Sequence, residues 1–130
     1  MLKNRKIKQT SINQDFALKR FESNVDIFSQ FQPGKEAFII KSGTVELYKT
    51  SLDGVNEKEN ILGKLGEGAL FGEMALIDDK PRMASARAIN GPVVLKVITK
   101  EQFYNSLGDV NPFVSKLLSI LVEQVRENTR

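Results

Sequence analysis

The feature that most constrains this chain is a glycine-rich segment at residues 66–76, GEGALFGEMAL, followed closely by the segment PRMASA at residues 81–86. Glycine allows backbone N–H groups to approach an anion closely, and a helix that begins at Glu73 directs the positive end of its dipole toward the same point. Arg82 adds a planar group of N–H donors that matches the oxygens of a phosphate. The two segments together predict a binding site for a phosphate-containing ligand.

The order and spacing of these residues carry the prediction, because a Gly-x-Gly pair or a lone arginine is common in proteins. Phe-Gly-Glu is followed by Ala-Leu, by a short acidic loop and then by Pro-Arg-x-Ala-Ser, all within one predicted strand-helix-strand unit. The alternative is the corner of a β-barrel, in which the glycines form turns and Glu73 and Arg82 form an ordinary surface ion pair.

This arrangement resembles the phosphate-binding cassette of the cyclic nucleotide-binding domain family, which includes catabolite activators and protein kinase regulatory subunits. The resemblance covers about residues 21–128. Residues 38–49 resemble the family's hairpin of two strands around a Ser-Gly turn. Phe103 and the pair Asn111-Pro112 stand where the family has its two C-terminal helices.

Two positions depart from the family pattern, because Asn24 and Phe31 stand where related domains commonly have glycine. Asparagine tolerates a left-handed backbone, whereas phenylalanine adopts one only at a steric cost. We therefore expect the loop around Phe31 to be shaped differently, while the ligand contacts are kept.

The resemblance implies a set of ligand-binding residues: Phe71, Gly72, Glu73, Met74, Ala75, Arg82, Met83, Ala84 and Ser85. Gly72 would leave room for the sugar phosphate, Glu73 would accept a hydrogen bond from the ribose 2′-hydroxyl, and Arg82 would neutralise the phosphate. The backbone amides of Ala75 and Met83 would point at the phosphate. Ser85 would either place a hydroxyl near the base or bond to the neighbouring backbone.

Position 83 bears on the choice between cAMP and cGMP as the ligand. In family members that recognise cGMP well, a threonine commonly follows the arginine and holds the guanine amino group. Met83 offers neither a comparable donor nor an acceptor. The resemblance therefore favours cAMP over cGMP.

The composition excludes several classes of site. The 130 residues include no cysteine and no histidine, which excludes disulfides, Cys/His zinc sites and acid–base catalysis by histidine. No nucleophile–base pair or metal-ligand cluster is visible, and Glu73 near Arg82 is typical of recognition rather than catalysis. We therefore expect a binding protein that is not an enzyme and uses no cofactor or metal.

Charge and hydropathy indicate the ligand class and the location of the protein only broadly. The net charge of +3 suits a small anion and a nucleic acid equally well, so it does not choose between them. No apolar run approaches the length of a membrane span, and the first residues lack the apolar core of a signal peptide. We therefore expect a cytoplasmic protein.

The predicted organisation is a basic flexible tail at residues 1–12 and a single cyclic nucleotide-binding domain at residues 13–130. The predicted fold class is α+β, mainly β: an antiparallel β-roll or jelly-roll barrel with a short phosphate-cassette helix, an N-terminal helix and two C-terminal helices. The N-terminal helix is predicted at residues 13–21, which carry an incomplete apolar face. Turn signals separate the predicted strands at Pro33-Gly34, Asp53-Gly54 and Asn90-Gly91-Pro92.

Both C-terminal helices have clear boundary signals. Thr99 and Gln102 have the spacing of a capping box, and Gly108 can end the helix that they open. Asn111 is predicted as the N-cap of the last helix, with Pro112 at its first position. The apolar residues of that helix cover more than one stripe, which predicts two faces to bury: Phe113, Val114, Leu117, Leu118, Ile120, Leu121, Val122 and Val125.

The resemblance implies that this last helix closes over the base and relays ligand binding, with Leu118, Leu121 and Val125 as lid candidates. In some family members it also pairs with a second subunit, so a homodimer is a further expectation. The alternative is a well-buried core helix without a signalling role.

The partner that the domain controls is not encoded in any motif. Only two residues follow Asn128, so we expect no DNA-reading head and no direct DNA binding, and we expect an effector protein of unknown identity. Three function classes stay open from the sequence. The first is a cyclic nucleotide-sensing regulatory module, the second is a β-roll that has lost nucleotide binding and mediates protein contacts, and the last is an enzyme.

Overall fold

The computed structural model describes residues 16–107 and 111–128, and the predicted tail at residues 1–12 and the predicted helix end at Gly108 lie outside them. The described strands are β1 (Ala17–Phe21), β2 (Asp26–Phe28), β3 (Glu36–Asp53), β4 (Asn56–Leu65), β5 (Leu70–Phe71) and β6 (Ser85–Thr99). The described helices are α1 (Met74–Asp78), α2 (Lys100–Leu107) and α3 (Pro112–Asn128).

The six strands form one antiparallel sheet in the order β1-β6-β3-β4, with β2 added to β6 and β5 added to β3. The long strands β3 and β6 pair along most of their lengths and form its centre. The predicted antiparallel β-roll is confirmed. A closed barrel is wrong, because within the described part of the chain β1 and β4 have no strand between them that would close the sheet.

Alternation of apolar side chains gives the roll its core. In β6 the residues Ala86, Ala88, Val93, Leu95 and Val97 are all buried, as expected for a strand with one face toward the interior. They pack against residues of β3 and β5, namely Phe38, Ile40, Val45 and Phe71.

Two predicted turns are instead bends within continuous strands. Ser42 and Gly43 lie inside β3, where the register with β6 shifts on either side of Ser42 and Gly43 has φ +98°. Asn90 and Gly91 form the matching bend in β6, with φ +59° and +120°. The predicted hairpin around the Ser-Gly pair is therefore wrong. The tight hairpin joins β3 to β4, where Asp53 pairs with Asn56.

The predicted N-terminal helix is also wrong over its described part. Residues 17–21 form β1, which pairs with Val93–Val97 of β6. A helix at these positions would have an incomplete apolar face. As a strand, residues 17–21 pair their backbone with β6 and place Phe21 against the core. Tertiary pairing has overridden the local pattern.

The loop around Phe31 does not have the different backbone shape that we expected. Phe31 has φ +74° and Asn24 has φ +69°, so both adopt the left-handed conformation that glycine favours. The Phe31 N–H donates a hydrogen bond to the Arg82 carbonyl at 2.8 Å, and its side chain is 74% exposed. This backbone hydrogen bond holds Phe31 in the left-handed conformation, while its ring stays outside the core.

The two C-terminal helices are confirmed, as are both predicted N-caps. The Gln102 N–H donates to Thr99 Oγ1 at 3.1 Å, and the Thr99 N–H donates to Gln102 Oε1 at 3.0 Å. The Phe113 N–H donates to Asn111 Oδ1 at 2.8 Å. Helix α3 does not bury two faces, since Val122 is its buried apolar residue and most of the others are exposed. No helix in the described ranges is long and apolar enough to cross a membrane.

Candidate ligand-binding site

The glycine-rich segment is fastened to the central strand of the sheet. The Ile40 N–H donates to the Ala69 carbonyl at 3.0 Å, and the Gly68 N–H donates to the Ile40 carbonyl at 2.8 Å. Strand β5 then pairs with β3 and leads directly into α1, whose Ala75 and Leu76 are buried. The cassette predicted from residues 66–76 therefore forms one wall of the roll.

The backbone of Arg82 is held by the loop between β2 and β3. The Arg82 N–H donates to the Gln32 carbonyl at 2.8 Å, and the Arg82 carbonyl accepts the hydrogen bond from Phe31. These two hydrogen bonds join the β2–β3 loop to Arg82, which lies shortly before the start of β6 and is distant from that loop in sequence. They direct the Arg82 side chain toward the interior.

The Arg82 guanidinium is buried, and no carboxylate of residues 16–107 or 111–128 forms an ion pair with it. The residue is 6% exposed, and its Nη1 and Nη2 donate to the carbonyls of Gly72 and Glu36, each at 2.6 Å. Its Nε is buried and has no hydrogen-bond partner among the described residues. Burial lowers the pKa of the Arg82 guanidinium, while the more distant carboxylates of Glu36 and Glu73 oppose that shift. A buried cation with an unused donor favours the binding of an anion.

Two glycines make space for this guanidinium. A Cβ at Gly34 would lie 2.7 Å from Arg82 Cζ and 2.5 Å from the Cβ of Ala75. A Cβ at Gly72 would lie 2.8 Å from Arg82 Nη1, and Gly72 also has φ +80°. The close approach of Arg82 to the backbone therefore depends on both residues lacking a side chain.

A small cavity of about 80 Å³ lies beside Arg82. Its wall combines apolar side chains from the sheet and the cassette with two arginines: Phe28, Leu47, Leu62, Gly72, Met74, Ala75, Arg82, Met83, Ala84 and Arg126. Typical ligand pockets have volumes of about 300 to 1,000 Å³. A nucleotide would therefore require some of these walls to move.

Helix α3 contributes Arg126 to this cavity, and sequence reasoning missed that residue. Its Nε and Nη2 donate to the two carboxylate oxygens of Asp78 at 2.5 and 3.0 Å, and its Nη1 donates to the Pro81 carbonyl at 2.9 Å. The contacts join α3 to the end of α1 and to the residue before Arg82. Arg126 is separated from Asp78 by 48 positions, so no local spacing could have shown the pair.

The structure gathers most of the predicted site residues, but not all of them, around the cavity. Six predicted residues line it: Gly72, Met74, Ala75, Arg82, Met83 and Ala84. Phe71 lies in the aromatic core, where its ring stacks on that of Phe38 with centroids 5.4 Å apart. Ser85 Oγ accepts a hydrogen bond from the Gln30 N–H at 2.8 Å, which is the backbone contact that we gave as its alternative role.

Glu73 and the lid candidates stand apart from this lining. Glu73 occupies the N-cap position of α1, but its side chain makes no capping hydrogen bond. The lining does not include the described residues Leu118, Leu121 and Val125; Leu118 is half-buried, and the other two are exposed. Within the described ranges, no group of three carboxylates or other ligands could hold a metal ion.

The chain is similar in sequence to several known proteins. The profile of the family described as "Cyclic nucleotide-binding domain" matches residues 18–109. The cyclic AMP receptor protein of Thermus thermophilus is 34% identical over 119 residues, which cover 87% of this chain and 53% of that protein. The cAMP-dependent protein kinase regulatory subunit of Mycosarcoma maydis is 32% identical over 96 residues, which cover 72% of this chain and 18% of that protein.

Solved structures of the EAL enzyme Bd1971 are also similar to this chain. Its cAMP-bound form has a TM-score of 0.79 and 34% identity, covering 87% of this chain and 29% of that chain. Its cGMP-bound form has a TM-score of 0.75 and 35% identity, covering 85% of this chain and 28% of that chain. This chain thus spans about half or less of these longer proteins. The chain belongs to the cyclic nucleotide-binding domain family.

Proposed function

We propose that this domain binds a cyclic nucleotide in the cavity beside Arg82 and acts as a regulatory sensor. The observation that carries the proposal is the buried Arg82 guanidinium, which has neither a paired carboxylate nor an acceptor for its Nε–H in the described part of the chain. A cyclic phosphate supplies one negative charge and exocyclic oxygens that can accept such hydrogen bonds. The apolar wall beside Arg82 supplies the surface that a base requires.

The proposed roles of the cassette residues follow from their positions. Arg82 neutralises the phosphate, and the backbone amides of Ala75 and Met83 donate to it. Gly72 has no side chain, so the sugar phosphate can approach the backbone closely there. Glu73, whose carboxylate is not used as a helix cap, accepts a hydrogen bond from the ribose 2′-hydroxyl.

The proposed preference is for cAMP over cGMP. Met83 lines the cavity and presents a thioether, which cannot hold the guanine amino group as a hydroxyl can. Apolar contacts with Met83, Leu62 and Leu47 suit either base. The preference therefore depends on the lack of a hydroxyl at position 83 that could bind the guanine amino group.

The proposed relay runs through helix α3. Arg126 connects α3 to Asp78 in the cassette helix and to the Pro81 carbonyl beside Arg82. A cassette that moves to admit the ligand must therefore either carry Arg126 with it or break these contacts. Both outcomes change the position or the stability of α3.

The exposed apolar residues of α3 are the proposed surface for an effector protein or a second copy of this chain. They are Phe113, Val114, Leu117, Ile120, Leu121 and Val125, each at least 42% exposed. A contiguous exposed apolar surface of this kind is typical of interaction sites. Sedimentation analysis with and without cAMP distinguishes self-association from the binding of a different protein.

A thermal melt tests the proposed function directly. Ligand at about one hundred times its dissociation constant stabilises a protein by roughly 2.7 kcal/mol, which raises the melting temperature by several degrees. We expect such a rise with cAMP, a smaller rise with cGMP at the same concentration, and none with 5′-AMP, which lacks the cyclic phosphate. If neither cyclic nucleotide moves the transition, the proposal is wrong.

A further inference from the structure

The face of the Arg82 guanidinium is covered by an aromatic ring that no sequence pattern indicated. Arg82 Cζ lies 4.1 Å from the centroid of the Phe28 ring, which also lines the cavity. That separation is well within the roughly 6 Å at which an arginine and an aromatic face attract each other. Phe28 therefore contacts the cation that the proposed function assigns to the phosphate.

The Phe28 ring is itself held in place by neighbouring rings. Its centroid lies 6.1 Å from that of Phe38 and 5.9 Å from that of Phe71. Phe38 and Phe71 are both buried in the core of the roll. The ring under Arg82 is therefore supported by the sheet rather than by a mobile loop.

The hydrogen bonds of Arg82 leave part of its donor capacity unused within the described ranges, while its face is occupied by the Phe28 ring. Nη1 and Nη2 each donate to one backbone carbonyl, and the Nε hydrogen has no acceptor among the residues that the structure describes. Hydrogen bonds of a guanidinium lie in its plane, whereas an aromatic ring binds above that plane. The ring thus fixes the orientation of the guanidinium without using any donor that a phosphate requires.

We propose that Phe28 is a positioning residue that holds the Arg82 guanidinium by a cation–π contact, and so sets the affinity of the site for the cyclic phosphate. The inference rests on the proposed function. A buried arginine usually has a carboxylate partner, and a bound phosphate would compete with one. An aromatic ring stabilises the charge without that competition, which suits a site that must stay free for an anion.

Two leucine substitutions separate positioning from packing. Phe28→Leu removes the ring under Arg82, whereas Phe38→Leu removes a neighbouring ring that does not line the cavity. We expect Phe28→Leu to weaken cAMP binding by roughly three- to thirtyfold, the range from an exposed to a desolvated cation–π contact. Phe38→Leu should cost stability but change affinity much less, and Phe28→Tyr should bind within about twofold of the parent, because it keeps the aromatic face.

A fluorinated series at position 28 separates the loss of the cation–π contact from a loss of folding. Replacing Phe28 by mono-, di- and trifluorophenylalanine keeps its shape but progressively withdraws the negative charge from the ring face. We expect cAMP affinity to fall with each added fluorine while the free protein stays folded, with a melting temperature lowered by a few degrees because the same contact stabilises the buried cation. A flat series, or equal affinity losses in Phe28→Leu and Phe38→Leu, would overturn the inference.

A measurement without ligand keeps this test separate from the test of function. The Arg82 Nε–H can be followed by heteronuclear NMR in the free protein, and its hydrogen exchange should become faster as fluorine is added at position 28. If the parent binds neither cAMP nor cGMP, the proposed function is wrong, while the exchange rate still tests the contact. If the parent binds and exchange does not respond to fluorine, only the inference about Phe28 is wrong.

Discussion

The Asp78 carboxylate and the Arg126 guanidinium form a two-point ion pair that joins the cassette helix α1 to the last helix α3. Their side chains are only 11% and 12% exposed. Arg126 also bonds to the Pro81 carbonyl, next to Arg82 in the chain. The pair therefore connects the cassette helix, beside the cavity at Arg82, to helix α3.

Removing one partner should cost stability, because the other charge stays largely buried. We expect Asp78→Asn to lower the free energy of unfolding by about 3 kcal/mol, near the lower end for breaking a buried pair. The matched control is Asp79→Asn, which removes the neighbouring exposed ion pair with Lys100 and should cost much less. Urea unfolding measures both.

The same pair allows a test of the relay. Amide exchange across residues 113–125 should slow when cAMP binds to the parent, because the proposed relay couples ligand binding to the helix. In Asp78→Asn the slowing should be much smaller, while exchange in β3 and β6 still responds to ligand. Equal slowing in parent and variant would contradict a relay through this ion pair.

The ribose contact assigned to Glu73 predicts discrimination against a deoxy ligand. A hydrogen bond to a charged group contributes about 1.5 to 3 kcal/mol, so 2′-deoxy-cAMP should bind at least tenfold more weakly than cAMP. In Glu73→Ala the difference between the two ligands should shrink. Calorimetric titration of both nucleotides measures it, and equal affinities in the parent would remove Glu73 from the site.

Gly34 should tolerate no side chain, because a Cβ there would overlap with both Ala75 and Arg82. We expect Gly34→Ala to lower stability by about 1 to 3 kcal/mol, the usual cost of overpacking, and to weaken cAMP binding by displacing the guanidinium. Gly63→Ala is the control, since a Cβ at Gly63 would have no heavy atom within 4 Å. Comparable behaviour of the two variants would show that Arg82 adjusts freely.

Tyr48 should make stability fall at alkaline pH. Burial, followed by its hydrogen bond to Asp26 at 2.6 Å, raises the pKa of the Tyr48 hydroxyl. The protonated form is thus favoured in the folded state, so this stabilisation is complete below the ordinary pKa of about 10 and is lost as pH rises through the higher folded value. Tyr48→Phe should be less stable at neutral pH but lose less stability above pH 10, as measured by urea unfolding across that range.

The parts of the fold that the sequence predicted correctly depend on neighbouring residues. The capping box of Thr99 and Gln102 and the N-cap of Asn111 are complete within four positions, and each is present. The alternation in β6 likewise needs only its own residues to indicate a buried face. The cassette could be found because its glycines, short helix and Arg82 lie within one short stretch.

The parts that the sequence did not predict depend on contacts between distant segments. Residues 17–21 became a strand because the edge of β6 was available, and the bend at Gly43 is set by its pairing with β6. Phe28 is 54 positions before Arg82, so its ring carries no local signal of the contact. Arg126 resembles any basic residue in the last turn of a helix until Asp78 is placed beside it.

The most direct test of the central claim is calorimetric titration of cAMP into the parent chain and into Arg82→Ala. Arg20→Ala is the control, because it removes the same charge from an exposed position on β1. We expect Arg82→Ala to weaken binding by about 2 to 5 kcal/mol, the cost of truncating one partner of a buried, hydrogen-bonded charge pair, while Arg20→Ala binds as the parent does. If Arg82→Ala is folded and binds cAMP within a few-fold of the parent, Arg82 does not hold the phosphate and the site has been misplaced.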